Sequence, residues 1–137
     1  MTEIDDDGDF IQRLGCTNVG IRDGAYIVEL DLDERHMSIA DRAHGGVLFS
    51  LLDTALGRSI IHHLPEGRGC ATVEMKVNYF RPIQRGRIQA RASMKELTRS
   101  LAYAEGEIRN EANKVLARAS GTFFLTETVR QQDRERV

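Results

Sequence analysis

The stretch 45–62 constrains this chain more than any other. Val47, Leu48, Leu51, Leu52, Ala55, Leu56, Ile60 and Ile61 recur there at helical spacing, with hardly any polar surface between them. A helix apolar nearly all round has to be enclosed by other elements, and Pro65 and Gly67 stop it soon afterwards. The rest of the chain supplies the enclosure. Residues 25–32 alternate with period two, Tyr26, Val28, Leu30 and Leu32 on one side and Ile27, Glu29 and Asp31 on the other. The Asp23-Gly24 pair before them is a hairpin signal, predicting a partner strand near 16–22. Residues 70–80 set Val73, Met75, Val77 and Tyr79 against Thr72, Glu74, Lys76 and Asn78. Residues 86–97 set Ile88, Ala90 and Ala92 against Arg87, Gln89 and Arg91. Two more strands, 101–109 and 115–125, meet at the polar turn Asn110-Glu111-Ala112-Asn113. One helix segregated to one side of an antiparallel six-stranded sheet is an α+β architecture. A single helix cannot cover both faces of such a sheet, so self-association is expected.

Composition narrows the function classes. The 137 residues make one domain, long enough to bury roughly two-thirds of its unfolded surface without disulfides or metal. Cys16 and Cys70 are isolated and read as small hydrophobes. Hydrophobic residues at 41% and charged residues at 29% exclude wholesale disorder. A formal net charge of −2 lacks the basic excess of a nucleic-acid binder. No apolar run reaches the roughly 18–20 residues that span a bilayer. The first nine residues hold Glu3, Asp5, Asp6, Asp7 and Asp9 and no base, the opposite of a signal peptide. The expectation is a cytoplasmic protein with no membrane partner. Residues 1–9 read as an acidic mobile leader, 10–125 as the single domain opening on a short helical segment near 10–14, and 126–137 as a polar tail.

The greasy helix contains one acid, Asp53, on a stripe of small side chains with Gly46, Ser50 and Gly57. A carboxylate there is costly unless paired, hydrogen-bonded or put to use. Pairing with Arg58 or a neighbouring strand and a chemical role are both open from this residue alone. The helix start adds a second element. His44-Gly45-Gly46 lies where chain becomes helix, and the first backbone N–H groups there lack intrahelical partners. Two glycines leave those donors accessible at the positive end of the helix dipole, a setting for a developing oxyanion. Nine residues separate His44 from Asp53, roughly 13 Å along a helix axis. Acid and donor therefore meet one carbonyl only across a subunit interface.

Ala43-His44-Gly45-Gly46-Val47-Leu48-Phe49-Ser50-Leu51-Leu52-Asp53, Thr72-Val73-Glu74-Met75 and Asn78-Tyr79-Phe80-Arg81-Pro82 resemble a hotdog-fold acyl-CoA thioesterase of the phenylacetate-pathway (PaaI-like) group. Gly86 with Ala90-Arg91-Ala92, Thr98-Arg99-Ser100 and Gly121-Thr122-Phe123 extend the resemblance over most of residues 15–125. The resemblance implies a long central helix wrapped by a six-stranded antiparallel sheet, in homodimers commonly doubled to tetramers. It implies Asp53 as general base or nucleophile, the Gly45 N–H polarising the thioester carbonyl from the opposite subunit, and Thr72 holding the attacking water. Where many relatives carry Asn near the carbonyl, this chain has Ser38, which bears on substrate class.

The substrate so implied is a small aromatic or short- to medium-chain acyl-CoA, with no cofactor. The thiolate leaving group, with a conjugate acid near pKa 8.5, departs without a strong general acid. Leu48, Phe49, Leu52 and Leu56, beside Gly46, are expected to line the acyl slot. Arg81 and Arg99 are the candidates for the coenzyme A phosphates among several exposed Arg. His44 orients the loop. His36, His62 and His63 read as inert, and no ligand spacing suggests a metal. A hotdog hydratase is disfavoured by the lack of an Asp-Pro-His arrangement. A non-catalytic acyl-CoA-binding module and a plain oligomerisation domain are the other readings.

Overall fold

The structure, a computed structural model, describes residues 8–127. The first seven residues and the tail from 128 lie outside that range, so the expected acidic leader and polar tail are not described apart from their inner ends. The elements run α1 (Asp9–Leu14), β1 (Thr17–Arg22), β2 (Ala25–Leu32), a 3-10 turn (Glu34–His36), α2 (Gly45–Ile61), β3 (Arg68–Tyr79), β4 (Gly86–Leu97), β5 (Leu101–Asn110) and β6 (Val115–Glu127). One antiparallel sheet of order β1-β2-β4-β5-β6-β3 wraps α2, the expected α+β arrangement.

The division of labour between helix and sheet is chemical. The inner face of the sheet is built from small residues: Ala90, Ala92, Ala102, Ala104, Ala117 and Ala119 are all buried. The helix contributes bulk, with Leu51, Leu52, Ala55, Leu56 and Ile60 at 0% exposure. Small strand residues let the helix axis come close. At Gly106 a β-carbon would stand 2.8 Å from Leu56 Cδ1 and 2.9 Å from the Arg91 carbonyl oxygen, so only glycine fits. Each fully buried Leu or Ile contributes roughly 1.5–3 kcal/mol through removal of apolar area from water.

The strand patterns hold on β2 and β4, where Val28, Leu30, Leu32 and Ile88, Ala90, Ala92 turn inward. On β3 the pattern breaks. A bulge between Thr72 and Glu74, opposite Phe123 and Thr122 of β6, inserts one residue into the alternation. Thr72 therefore faces the helix on the same side as Met75, whereas Val73, which the alternation grouped with Met75, is 59% exposed. A one-residue insertion reverses which side chains face the core.

His36 also departs from expectation. It is 1% exposed, and its ring bridges two segments: Nδ1 accepts from the Asp33 N–H at 2.9 Å, and Nε2 lies 2.7 Å from the Leu14 carbonyl oxygen. With Nδ1 accepting, Nε2 carries the proton and donates. The His36 carbonyl accepts from the His44 N–H at 2.8 Å, so one residue ties the end of α1 to the start of α2.

Candidate active site

The start of α2 is capped by its own histidine. His44 Nδ1 accepts from the Gly46 N–H at 2.8 Å, and the His44 carbonyl accepts from the Val47 N–H at 2.9 Å. A β-carbon on Gly46 would stand 3.0 Å from His44 Nδ1, so the ring keeps its place only beside glycine. These bonds leave one first-turn donor over: among the described residues no group accepts from the Gly45 N–H. The Gly45 carbonyl instead receives the Tyr79 hydroxyl at 2.8 Å, and burial pushes that phenol's pKa up. His44, Gly45 and Gly46 are all exposed in the single chain.

One turn further on, Ser50 donates to the Gly46 carbonyl at 2.8 Å. Asp53 then stands half-buried at the wall of the fold. The Thr72 hydroxyl donates to Asp53 Oδ1 at 2.7 Å, and no other hydrogen bond or ion pair reaches this carboxylate among the described residues. Asp53 does not pair with Arg58. The β3 bulge makes the Thr72 contact possible, since strict alternation would have turned Thr72 to the outer face.

Asp53 and Thr72 lie in the wall of a cleft of about 530 Å³, together with Ser50, Thr54, Gly57 and Cys70. Its apolar lining is Phe10 and Ile11 of α1, Phe49 and Ile61 of α2, and Phe123 of β6. Phe49 is thus beside Asp53, as expected. Leu48, Leu52 and Leu56 are not: they are at most 4% exposed and pack against the sheet. An all-apolar helix gives no periodic cue to which face meets the sheet, and these three took the core. Cys70 donates to the Gly57 carbonyl at 3.7 Å. Burial, and secondarily the Asp53 charge, push its thiol up to about 11.

The remaining candidates are dispersed. Ser38 sits in a tight turn, its N–H donating to the Arg42 carbonyl at 2.7 Å and its hydroxyl accepting from the Ala40 N–H at 3.3 Å. It does not line the cleft beside Asp53 in the same chain. Arg81 follows β3 and donates to the Val115 carbonyl at 2.5 Å. Arg99 lies in the β4–β5 turn, at the opposite end of the sheet, where Leu101 pairs with Phe124 and Phe124 with Ala71. From Ala117 to Phe124 on β6 is about 23 Å of strand, so Arg81 and Arg99 of one chain do not share a ligand's phosphates. Arg85 and Arg87 are engaged with Glu34 and with Asp31 and Glu29. No three His, Cys, Asp or Glu side chains gather as a metal would require among the described residues. No described helix is long and apolar enough to cross a membrane. The cleft residues that the sequence reading missed, Phe10, Ile11, Thr54, Arg58, Ile61, Cys70 and Phe123, come from four elements and carry no shared spacing.

Comparison with known proteins agrees with the fold. The family model of the thioesterase superfamily matches residues 41–117. The chain belongs to the thioesterase superfamily, and its wrapped helix is the hotdog fold of that family. It is 30% identical over 105 residues to a candidate esterase of Archaeoglobus fulgidus, a match covering 76% of this chain and 66% of the relative. The match to a second, from Haemophilus influenzae, covers 62% of that protein, so the chain spans just under two-thirds of both relatives. Among solved structures, a conserved protein from Pseudomonas aeruginosa superposes with a TM-score of 0.82 at 28% identity, over 86% of this chain and 94% of the other. The phenylacetic acid degradation protein PaaI of Thermus thermophilus superposes with a TM-score of 0.75 at 29% identity, over 84% and 96%.

Proposed function

We propose that this protein hydrolyses the thioester of a small aromatic or short- to medium-chain acyl-CoA to the free acid and coenzyme A. The observation that carries the reading is the Thr72–Asp53 hydrogen bond at the wall of a half-apolar cleft. In this reading Asp53 takes a proton from a water whose oxygen attacks the thioester carbonyl. Thr72, its own proton engaged with Asp53, presents hydroxyl lone pairs that hold that water. The C–S bond then breaks, and the thiolate leaves without a dedicated acid because its conjugate acid has a pKa near 8.5.

The oxyanion forming on the carbonyl needs a donor, and the uncommitted Gly45 N–H at the positive end of α2 supplies one. Gly45 and Asp53 of one chain are eight residues apart, about 12 Å of helix. The donor is therefore Gly45 of the partner subunit in a homodimer. The β3 edge supports that assembly: it is twelve residues long, open on one side, and exposes Val73 and Tyr79, with Phe80 exposed just beyond its end. Long open edges with apolar residues are templates for pairing. Two such dimers form the tetramer. Arg81 and Arg99 from different subunits are the candidates to meet the coenzyme A phosphates. The protein works in the cytoplasm without cofactor. The likeness to PaaI favours aromatic acyl groups.

The test is free-thiol release from a panel running from acetyl- to dodecanoyl-CoA with benzoyl- and phenylacetyl-CoA, on wild type and Asp53→Asn. We expect turnover of at least one ester and a loss of about 10²- to 10⁴-fold in Asp53→Asn, the range for removing a general base, with an unchanged oligomer by light scattering. Full activity in Asp53→Asn removes that residue from the mechanism. Tight acyl-CoA binding by wild type without turnover of any ester replaces the enzyme by a binding module.

A further inference from the structure

The short helix α1 is placed where it contributes nothing to the core. None of its six residues is buried, and Phe10 is 65% exposed. A six-residue helix has no stability of its own in water. It is nevertheless fixed at its last turn by two side chains more than twenty residues away. Arg35 Nη1 donates to the Arg13 carbonyl at 2.9 Å, and the buried His36 ring holds the Leu14 carbonyl at 2.7 Å. Both acceptors are carbonyls that a helix end leaves without partners. Gly15 closes the turn at φ +85°, where a β-carbon would stand 2.4 Å from Arg35 Nη2. The strain-free turn and the Arg35 contact therefore both require glycine at this position.

The consequence of that anchoring is positional. Phe10 and Ile11 line the cleft that holds Asp53, with Phe49, Ile61 and Phe123 supplying the rest of its apolar surface. We propose that α1 is the wall of the acyl site and that Phe10 and Ile11 are specificity-determining residues, setting how large an acyl group the cleft accepts. The inference rests on the thioesterase reading above and adds to it the element that limits acyl size. It accounts for an exposed phenylalanine on a helix without a core role: an apolar ring at a cleft mouth gains burial only when an apolar group occupies the cleft. The anchor also explains why the wall does not drift. His36 holds Leu14 with its ring and His44 with its carbonyl, so wall and helix start share one support.

The test compares Phe10→Ala, Ile11→Ala and Phe10→Trp by the ratio of kcat/KM for dodecanoyl-CoA to that for hexanoyl-CoA. A methylene in an apolar pocket is worth roughly 10-fold or more in discrimination. We expect the ratio to rise about tenfold in each alanine variant and to fall in Phe10→Trp. Ratios within twofold of wild type in all three overturn the proposal, as does a shift of the same sign in Phe10→Ala and Phe10→Trp, which marks a merely disturbed fold. Should wild type hydrolyse no ester, the thioesterase reading fails separately. The same ratios are then read from calorimetric binding of non-hydrolysable S-dodecyl- and S-hexyl-CoA thioethers, with the same outcomes deciding.

Discussion

Two faces of one helix obey different rules. The face of α2 that meets the sheet carries Leu48, Leu51, Leu52, Ala55, Leu56 and Ile60, all buried. The face turned to the cleft carries Ser50, Asp53, Thr54 and Gly57, none of them fully buried. On the first face, side chains fit a sheet surface of Ala and Gly, and any change of volume is felt because interiors are close-packed. On the second, small and polar side chains stand beside Phe49 and Ile61, and the Asp53 carboxylate has a single hydrogen-bond donor among the described residues. Stability and chemistry are thus separated by about a third of a helical turn. Substitutions on the two faces should therefore fail in different assays.

Leu56→Ala tests the first face. Leu56 is fully buried, and its two methyl carbons occupy the space above Gly106 and Gly121, where added β-carbons would stand 2.8 and 3.2 Å from them. Removing it leaves a cavity between helix and sheet that rigid strands cannot fill. The expected loss is about 2–5 kcal/mol in denaturant unfolding, against an acyl-CoA kcat reduced less than tenfold in the folded fraction. A variant as stable as wild type would show that this stripe does not hold the fold together.

The two faces were unequally legible in the sequence. Strands β2 and β4 are bounded as their alternation predicts, because period two along a half-covered strand is a local signal. The helix was legible for a similar reason, its apolar run being too long for a strand. Which of its faces touches the sheet was not legible, because Leu48, Leu52 and Leu56 are as apolar as their neighbours. That assignment depends on the Ala and Gly positions of β4, β5 and β6, which on β6 lie more than sixty residues away. Asp53 and the Gly45-Gly46 pair could be singled out in the sequence because a carboxylate and adjacent glycines are conspicuous against such a background. The β3 bulge was invisible, being a property of register against β6. The structural bond of His36 was not legible because its partner, Leu14, lies twenty-two residues back in the chain.

Thr72→Val probes the cleft face at smaller scale. The methyl replaces the hydroxyl nearly isosterically, so packing at the bulge is kept while Asp53 loses its donor. We expect acyl-CoA kcat to fall about 10- to 100-fold, the low end for a group that positions a proton acceptor, with the unfolding midpoint within about 0.5 kcal/mol of wild type, since Thr72 is exposed. Thr72→Ser, which keeps the hydroxyl, should recover most of the activity. Loss in Thr72→Ser equal to that in Thr72→Val would assign the effect to the strand rather than to the hydroxyl.

The smallest expected effect reads the charge on that face directly. Cys70 lines the same cleft, and burial first, the Asp53 carboxylate second, raise its thiol to about 11. Thiolate is the reactive form, so the raised value keeps Cys70 protonated up to pH 9 and beyond. At pH 8 its alkylation, followed by mass spectrometry of the Cys70 peptide so that Cys16 does not interfere, should run roughly a hundredfold slower than a free thiol, as the difference of two pKa units requires. The rate should climb with pH towards 11. Asp53→Asn removes the smaller of the two causes and should therefore speed alkylation only several-fold, leaving the burial effect in place. No change in that variant would mean that the carboxylate is uncharged or turned away from Cys70. The proposed reaction needs a proton acceptor that is charged and aimed into this cleft, so the same measurement tests that proposal without any substrate.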